Sequence, residues 1–122
     1  DTLLTIKHDE DIRAVAFSAD NRSIATGGID KTLRITCIKN GKQVHEIPHP
    51  SPLTMVAFSP NGKFLATACD DKSIRLYATD SGNELGEIPG TDHVTEIAIS
   101  PKGTHLAVAR NDDSVRIYKL KL

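Results

Sequence analysis

Val56-Ala57-Phe58-Ser59 stands 41 residues after Val15-Ala16-Phe17-Ser18 and 41 before Ile97-Ala98-Ile99-Ser100. The same spacing carries Asp30 to Asp71 and Asp112, each followed four residues later by Arg34, Arg75 or Arg116. Ile6, Ile47 and Ile88 fall in register as well, as do Ala25, Ala66 and Ala107. Six identical columns align without a gap, where average composition would give roughly a fraction of one column by chance. A fixed period of this size marks stacked structural units that bury their faces only against neighbours. Function is therefore expected to lie in assembly.

Each unit divides into four short runs separated by turn residues, the pattern of a small antiparallel sheet. In the second unit the runs are Gln43 to Ile47, Leu53 to Ser59, Phe64 to Ala68 and Ser73 to Tyr77. Between them lie Pro48-His49-Pro50-Ser51-Pro52, Pro60-Asn61-Gly62 and Cys69-Asp70-Asp71-Lys72. Proline presets one backbone dihedral, and Asn-Gly tolerates the positive φ that a tight hairpin needs. No segment holds apolar residues at helical spacing over ten positions, so helices are set aside. Met55-Val56-Ala57-Phe58 is apolar without alternation, which predicts cover on both faces of that strand. Ile74 and Leu76 alternate with Arg75 and Tyr77, so the sheet is expected to grow wetter from its first inner strand outward.

A net charge of −1, with 25% charged residues, describes a mixed surface with no basic footprint for nucleic acid. Apolar runs reach about five residues, far below the 18 or so a membrane span requires, and no leader with a basic start and apolar middle is present. A cytoplasmic or nuclear setting is the expectation, with no membrane contact. Cys37 and Cys69 occupy different places in the repeat and belong to no ligand pattern, so free or packed thiols are expected. The chain begins at Asp1, in keeping with a processed or excised segment.

Val-Ala-Phe-Ser-Pro-Asn-Gly at 56 to 62, Leu-Ala-Thr-Ala at 65 to 68 and Asp71-Lys72-Ser73-Ile74-Arg75-Leu76-Tyr77 resemble the WD-repeat family of β-propellers. The resemblance covers essentially the whole chain. It implies an all-β fold of propeller blades, each with four antiparallel strands. The family tryptophan is replaced by Thr36, Tyr77 and Tyr118, and its name-giving aspartate by Cys37, Ala78 and Lys119. The family's Gly-His pair persists only as His8 and His49, and as Gly90 in the third unit. The resemblance further implies a buried hydrogen-bonded set in each blade. His8, Thr26 and Asp30 would form it in the first, and His49, Thr67, Asp71 and Tyr77 in the second. Only Asp112 and Tyr118 remain in the third.

His49, Asp71 and Thr67 also hold the ingredients of nucleophilic catalysis. Their recurrence as His8, Asp30 and Thr26 argues for a structural device and against an enzyme. Asp70-Asp71 and Asp112-Asp113 read as solvated turn carboxylates, because a hard cation needs six or more converging oxygens. His93 and His105 have no repeated partner and read as surface side chains, without metal. The arginine column reads as structural, and Gly27-Gly28 ends a strand with no helix after it, unlike a phosphate cradle. No cofactor is expected. A channel enzyme would need reactive groups on the innermost strands, which offer only Arg13 and Glu96.

In WD-repeat proteins partners often dock at the start of the second run and just before the turn aspartate. Those places hold Arg13, Thr54 and Thr95; Ala14, Met55 and Glu96; and Ile29, Asp70 and Asn111. One cation, two anions and exposed apolar groups suit a protein partner. The units divide as an outer clasp strand at 1–8 and repeats at 9–48, 49–89 and 90–122, the last lacking its outer strand. Thr2 to Ile6 aligns with the outer strands, and the resemblance implies that it completes the last blade, with another copy as the expected source of that blade. Three blades fall below the usual four to eight. Two copies would make six blades and three would make nine, with a complementing propeller chain or an excised or engineered three-blade unit as alternatives. Having lost most of its polar set, the third blade is expected to be the least rigid. Amide exchange slower in residues 105–119 than in 64–77 would count against this.

Overall fold

Each 41-residue unit folds into one antiparallel sheet because the same turn chemistry recurs at the same points of the period. The computed structural model describes residues 1–121 and holds eleven strands. The first blade comprises β1 (Ile12–Phe17), β2 (Ser23–Gly28), β3 (Thr32–Cys37) and β4 (Gln43–Pro48), hydrogen-bonded in that order. The second comprises β5 (Leu53–Phe58), β6 (Phe64–Cys69), β7 (Ile74–Ala78) and β8 (Glu84–Ile88). The third is three-stranded: β9 (Val94–Ile99), β10 (His105–Arg110) and β11 (Val115–Lys119). The runs read from the second unit agree with these strands to within a residue at each end.

The repeated serine accounts for the first turn of every blade. Ser18, Ser59 and Ser100 accept through Oγ from the backbone N–H groups of Ser23, Phe64 and His105 at 3.0, 3.2 and 3.0 Å. Ser18 and Ser59 also donate to Asp20 and Asn61, both at 2.6 Å. In the same turn Asn21, Gly62 and Gly103 take φ of 62, 74 and 71°, the left-handed region that glycine and asparagine tolerate best. The repeated aspartate builds the second turn. Asp30, Asp71 and Asp112 accept through Oδ1 from the N–H two residues on, at 3.2, 3.1 and 3.0 Å. These are Asx turns, in which a short carboxylate closes its own backbone.

The blades meet face to face through apolar side chains. Leu33 and Ile35 of the first pack with Leu53, Leu65 and Tyr77 of the second. Phe64, Ile74 and Leu76 of the second pack with Val94, Ile97, Leu106 and Val108 of the third. The gradient of burial differs from the expectation. Strand β6 is buried throughout and β7 nearly so, whereas β5 is half-buried after Leu53 and β8 is largely exposed. The driest strands are the two in the middle of the sheet, each hydrogen-bonded to a strand on either side.

Thr2 to Ile6 forms no strand ladder within this chain. The segment lies over the outward face of the first blade, where Leu3, Leu4 and Ile6 share a cavity of about 480 Å³ with Ile12, Val15, Phe17 and Ile24. A methyl group added at Gly41 would come within 3.0 Å of Leu4, and one added at Gly82 within 3.0 Å of His45. Leu4 and His45, like Gly41 and Gly82, are one period apart. Residues 1–8 thus sit on blade 1 as β4 sits on blade 2.

Leu53 has no exposed surface and joins two blades, whereas Val44 on the rim is half exposed. Leu53→Ala is expected to lower the free energy of unfolding by about 2–5 kcal/mol. Val44→Ala should lower it by about 0.5 kcal/mol or less. Urea titration followed by circular dichroism checks both.

Candidate functional site

Two constellations stand on the end of the blades where the outer strand of one blade leads into the inner strand of the next. The first is the polar set implied by the sequence. In blade 1 it closes: His8 Nδ1 lies 2.9 Å from Asp30 Oδ2, and His8 Nε2 lies 2.7 Å from Thr26 Oγ1. Since a carboxylate only accepts, Nδ1 carries the proton and Nε2 accepts from the threonine hydroxyl. Burial opposes the Asp30 charge, but hydrogen bonds from Thr32 and His8 outweigh it and hold that carboxyl below its usual range. Thr36, in the aromatic place, is buried and completes nothing in this set.

In blade 2 the set closes differently. His49 Nε2 meets Thr67 Oγ1 at 3.1 Å and the Tyr77 hydroxyl at 3.2 Å, while Nδ1 donates to the Ile47 carbonyl at 3.1 Å. The Tyr77 and His49 ring centroids lie 5.3 Å apart. Asp71 does not join them, which corrects the four-member set. Its carboxylate takes Arg75 at 2.9 Å, and Arg75 Nε reaches Glu87 at 3.2 Å. The Arg75 guanidinium holds Asp71 in a charge-assisted bond, while both nitrogens of the His49 ring are engaged by Thr67, Tyr77 and the Ile47 carbonyl. Burial holds the His49 imidazole below its ordinary value, with the Ile47 carbonyl opposing and the Arg75 charge assisting. Burial likewise pushes the Tyr77 hydroxyl up to about 12 and the Cys69 thiol up to about 11.

In blade 3 neither remaining member does what the set requires. Asp112 is spent on Ser114, accepting from its N–H and its hydroxyl. Tyr118 is half-buried and packs with the apolar cluster shared by blades 2 and 3. The vacancy left by Gly90 is taken by a residue that sequence reasoning missed. The Arg110 guanidinium lies over the Gly90 backbone, so close that a methyl group there would stand 2.2 Å from Nη1. Nη1 donates to the Asp92 carbonyl at 2.7 Å and to the Lys72 carbonyl at 2.9 Å, tying blade 3 to a turn of blade 2. Nη2 is buried and without a partner among the described residues. The signal was present as two departures in one unit: glycine where the others have histidine, and arginine where they have Gly28 and Cys69.

The second constellation lies on the inner strands. Arg13, Ala14, Thr54, Met55 and Glu96 line one open cleft of about 200 Å³, with Val56 and Ile97 beneath. Arg13 and Glu96 are exposed, and Met55 is half-buried. Thr54 donates its hydroxyl to the Ala68 carbonyl at 3.2 Å. Thr95 is exposed on β9 but does not line this cleft. Ile29, Asp70 and Asn111 lie outside it too. Their backbone N–H groups bond the carbonyls of Asp11, Pro52 and His93 at 3.0, 2.9 and 2.9 Å, one tie per blade between turn and loop.

The family model described as "WD domain, G-beta repeat" matches residues 1–36, 41–78 and 82–119. The chain belongs to the WD40 repeat family. Each matched span of this WD40 chain runs from the outer-strand position of one blade through the third strand of the next. Among solved structures, a crystal structure of RRP9 WD40 repeats superposes with a TM-score of 0.88 at 24% identity. The match covers 94% of the present chain and 37% of that one, so the chain spans little more than a third of its length. No curated protein compared with the chain matches it.

His49 is charged less readily when folded than when unfolded. Its contribution to stability is therefore complete above the ordinary imidazole value of 6.5 and is lost as pH falls below it. The unfolding midpoint is expected to drop as pH falls from 7 to 5, and His49→Gln should flatten that decline. The Gly90 and Arg110 pair predicts coupling. Gly90→Ala and Arg110→Ala should each cost about 1–3 kcal/mol. The double variant should lose less than their sum, as a double-mutant cycle would read.

Proposed function

We propose that this chain is a non-enzymatic WD40 scaffold that presents its inner-strand cleft to protein partners and completes its ring head-to-tail with copies of itself. Two copies would give six blades and three would give nine. The six-bladed ring is preferred because it falls within the usual range. The observation that carries the scaffold reading is the convergence of Arg13, Thr54, Met55 and Glu96 on one cleft. At these two positions of the repeat the three blades hold Arg, Thr and Thr, and Ala, Met and Glu, while the frame around them repeats. Arginine and methionine are enriched where proteins meet, and the opposed charges of Arg13 and Glu96 would orient a polar segment across Met55.

A reaction at the histidine sets is disfavoured by their geometry. Both nitrogens of His49 are engaged and the residue is buried, so a substrate cannot reach them. Protein is preferred to nucleic acid as a partner because the net charge is −1 and the cleft holds one cation. A cytoplasmic or nuclear setting fits two free thiols.

Affinity capture with quantitative mass spectrometry tests the cleft. Arg13→Glu combined with Met55→Ala is expected to reduce the recovery of specific partners tenfold or so. Lys63→Glu, an exposed change at the opposite end of the blade, should leave that recovery intact. Equal recovery by both variants would exclude the cleft as the docking site.

A further inference from the structure

A net charge of −1 conceals a separation of charge along the blades. In an antiparallel meander every second turn falls at the same end. The five turns at one end, 18–22, 38–42, 59–63, 79–83 and 100–104, carry Arg22, Lys39, Lys42, Lys63 and Lys102 against Asp20 and Asp80. The loops at the other end, 8–11, 29–31, 49–52, 70–73, 89–93 and 111–114, carry nine carboxylates against Lys31 and Lys72. All five cations of the basic end are exposed, and none is ion-paired among the described residues. Asp20 is committed to its own turn, where it accepts from the Ser18 hydroxyl and the Arg22 N–H.

Two of these cations flank a groove. Lys63 of blade 2 and Lys102 of blade 3 stand beside a cavity of about 360 Å³ whose apolar walls are Phe64, Leu85 and Leu120. No carboxylate lines it among the described residues. Phe64 is buried and Leu120 half-buried, while Leu85 is 43% exposed. The Leu120 N–H bonds the Thr104 carbonyl at 2.8 Å, as Thr79 bonds Lys63 and Ile38 bonds Arg22, both at 3.0 Å. This wall is therefore a regular place in every blade.

The frame of the groove repeats, but its lining does not. Moved back by 41 positions, Lys102, Phe64 and Leu120 become Asn61, Ser23 and Thr79, and Asn61 becomes Asp20. The joint of blades 1 and 2 thus sets one cation, Arg22, beside a carboxylate and hydroxyls. The joint of blades 2 and 3 sets two lysines beside apolar walls. Neither lysine side chain makes a hydrogen bond among the described residues, so the turns do not need them.

We propose that this groove docks an acidic peptide segment of a partner protein. One branched apolar side chain of the segment seats against Phe64, Leu85 and Leu120, and carboxylates on either side of it meet Lys63 and Lys102. A phosphate polymer fits less well. Its charge would satisfy the lysines but leave the apolar walls wet, and the buried Phe64 offers no ring face on which a base could stack. Exposed ion pairs contribute little each. The apolar seat therefore supplies the larger share of affinity, and the lysines select the sign of the partner's charge. This surface lies at the opposite end of the blades from the cleft of Arg13 and Met55, and it depends neither on that cleft nor on how the ring is completed.

Fluorescence anisotropy on the 122-residue chain tests the groove, with a labelled peptide of one leucine between two pairs of aspartates. Lys63→Glu with Lys102→Glu is expected to weaken binding about tenfold. Lys39→Glu with Lys42→Glu, the same change of charge outside the groove, should weaken it less than about twofold. Leu85→Ser, and serine in place of the leucine of the peptide, should each weaken it about three- to tenfold. Circular dichroism checks that each variant keeps its strand spectrum, and the comparison of the two peptides needs no variant at all. Equal loss from the two lysine pairs, or equal binding of the leucine and serine peptides, would show diffuse attraction to the basic end and overturn the groove. No binding at about 1 mM peptide overturns it as well. A single-stranded oligonucleotide or a phosphatidylserine vesicle that binds more tightly than the peptide overturns the choice of an acidic peptide as the occupant.

Discussion

A four-stranded blade is too thin to bury both of its faces, and every other feature of this chain follows from that. Leu33 and Ile35 are dry only because Leu53, Leu65 and Tyr77 lie against them. Each fully buried aliphatic side chain contributes about 1.5–3 kcal/mol relative to exposure, so a blade without a neighbour forfeits several such terms at once. The contrast is visible within the chain. Ala25 and Ala66 are wholly buried in the blades that have a neighbour on that side, whereas the equivalent Ala107 is partly open.

Because each joint is the previous one moved along by one period, the residues that build turns and joints must recur. These were the features legible in the sequence. The serine column is a turn cap, the aspartate column an Asx turn, the isoleucine column the outer-strand residue opposite Leu33 and Ile74. Local chemistry of this kind needs only neighbours along the chain, so spacing alone exposes it. The all-β assignment, the strand limits and the four-run unit rest on the same ground.

Features that depend on competition in space were not legible. Asp71 has two claimants, the His49 ring and the Arg75 guanidinium, and only the fold decides that the guanidinium wins. Asp30 faces the same choice and resolves it towards His8 at 2.9 Å, with Arg34 held at 4.0 Å and drawn towards Glu46. One sequence column thus carries two different networks. The dryness of β6 relative to β5 was hidden for a related reason. Apolar content signals that a strand has cover but not which of two apolar strands lies in the middle of the sheet.

Arg110 joins these strands of argument. A buried guanidinium with two carbonyl partners and no carboxylate is expensive in isolation, and it occurs where the family histidine is missing. Gly90 provides the room that makes it possible, since any side chain there would collide with the cation. The third blade has therefore not simply lost its polar set. It has exchanged a tie between strands of one blade for a tie to the Lys72 carbonyl of the blade before it. In a stack whose stability resides in its joints, that exchange shifts cohesion from within the blade to between blades. Blade 3 is thereby tied to the Lys72 turn of blade 2 by a polar contact as well as by the apolar cluster that the two blades share.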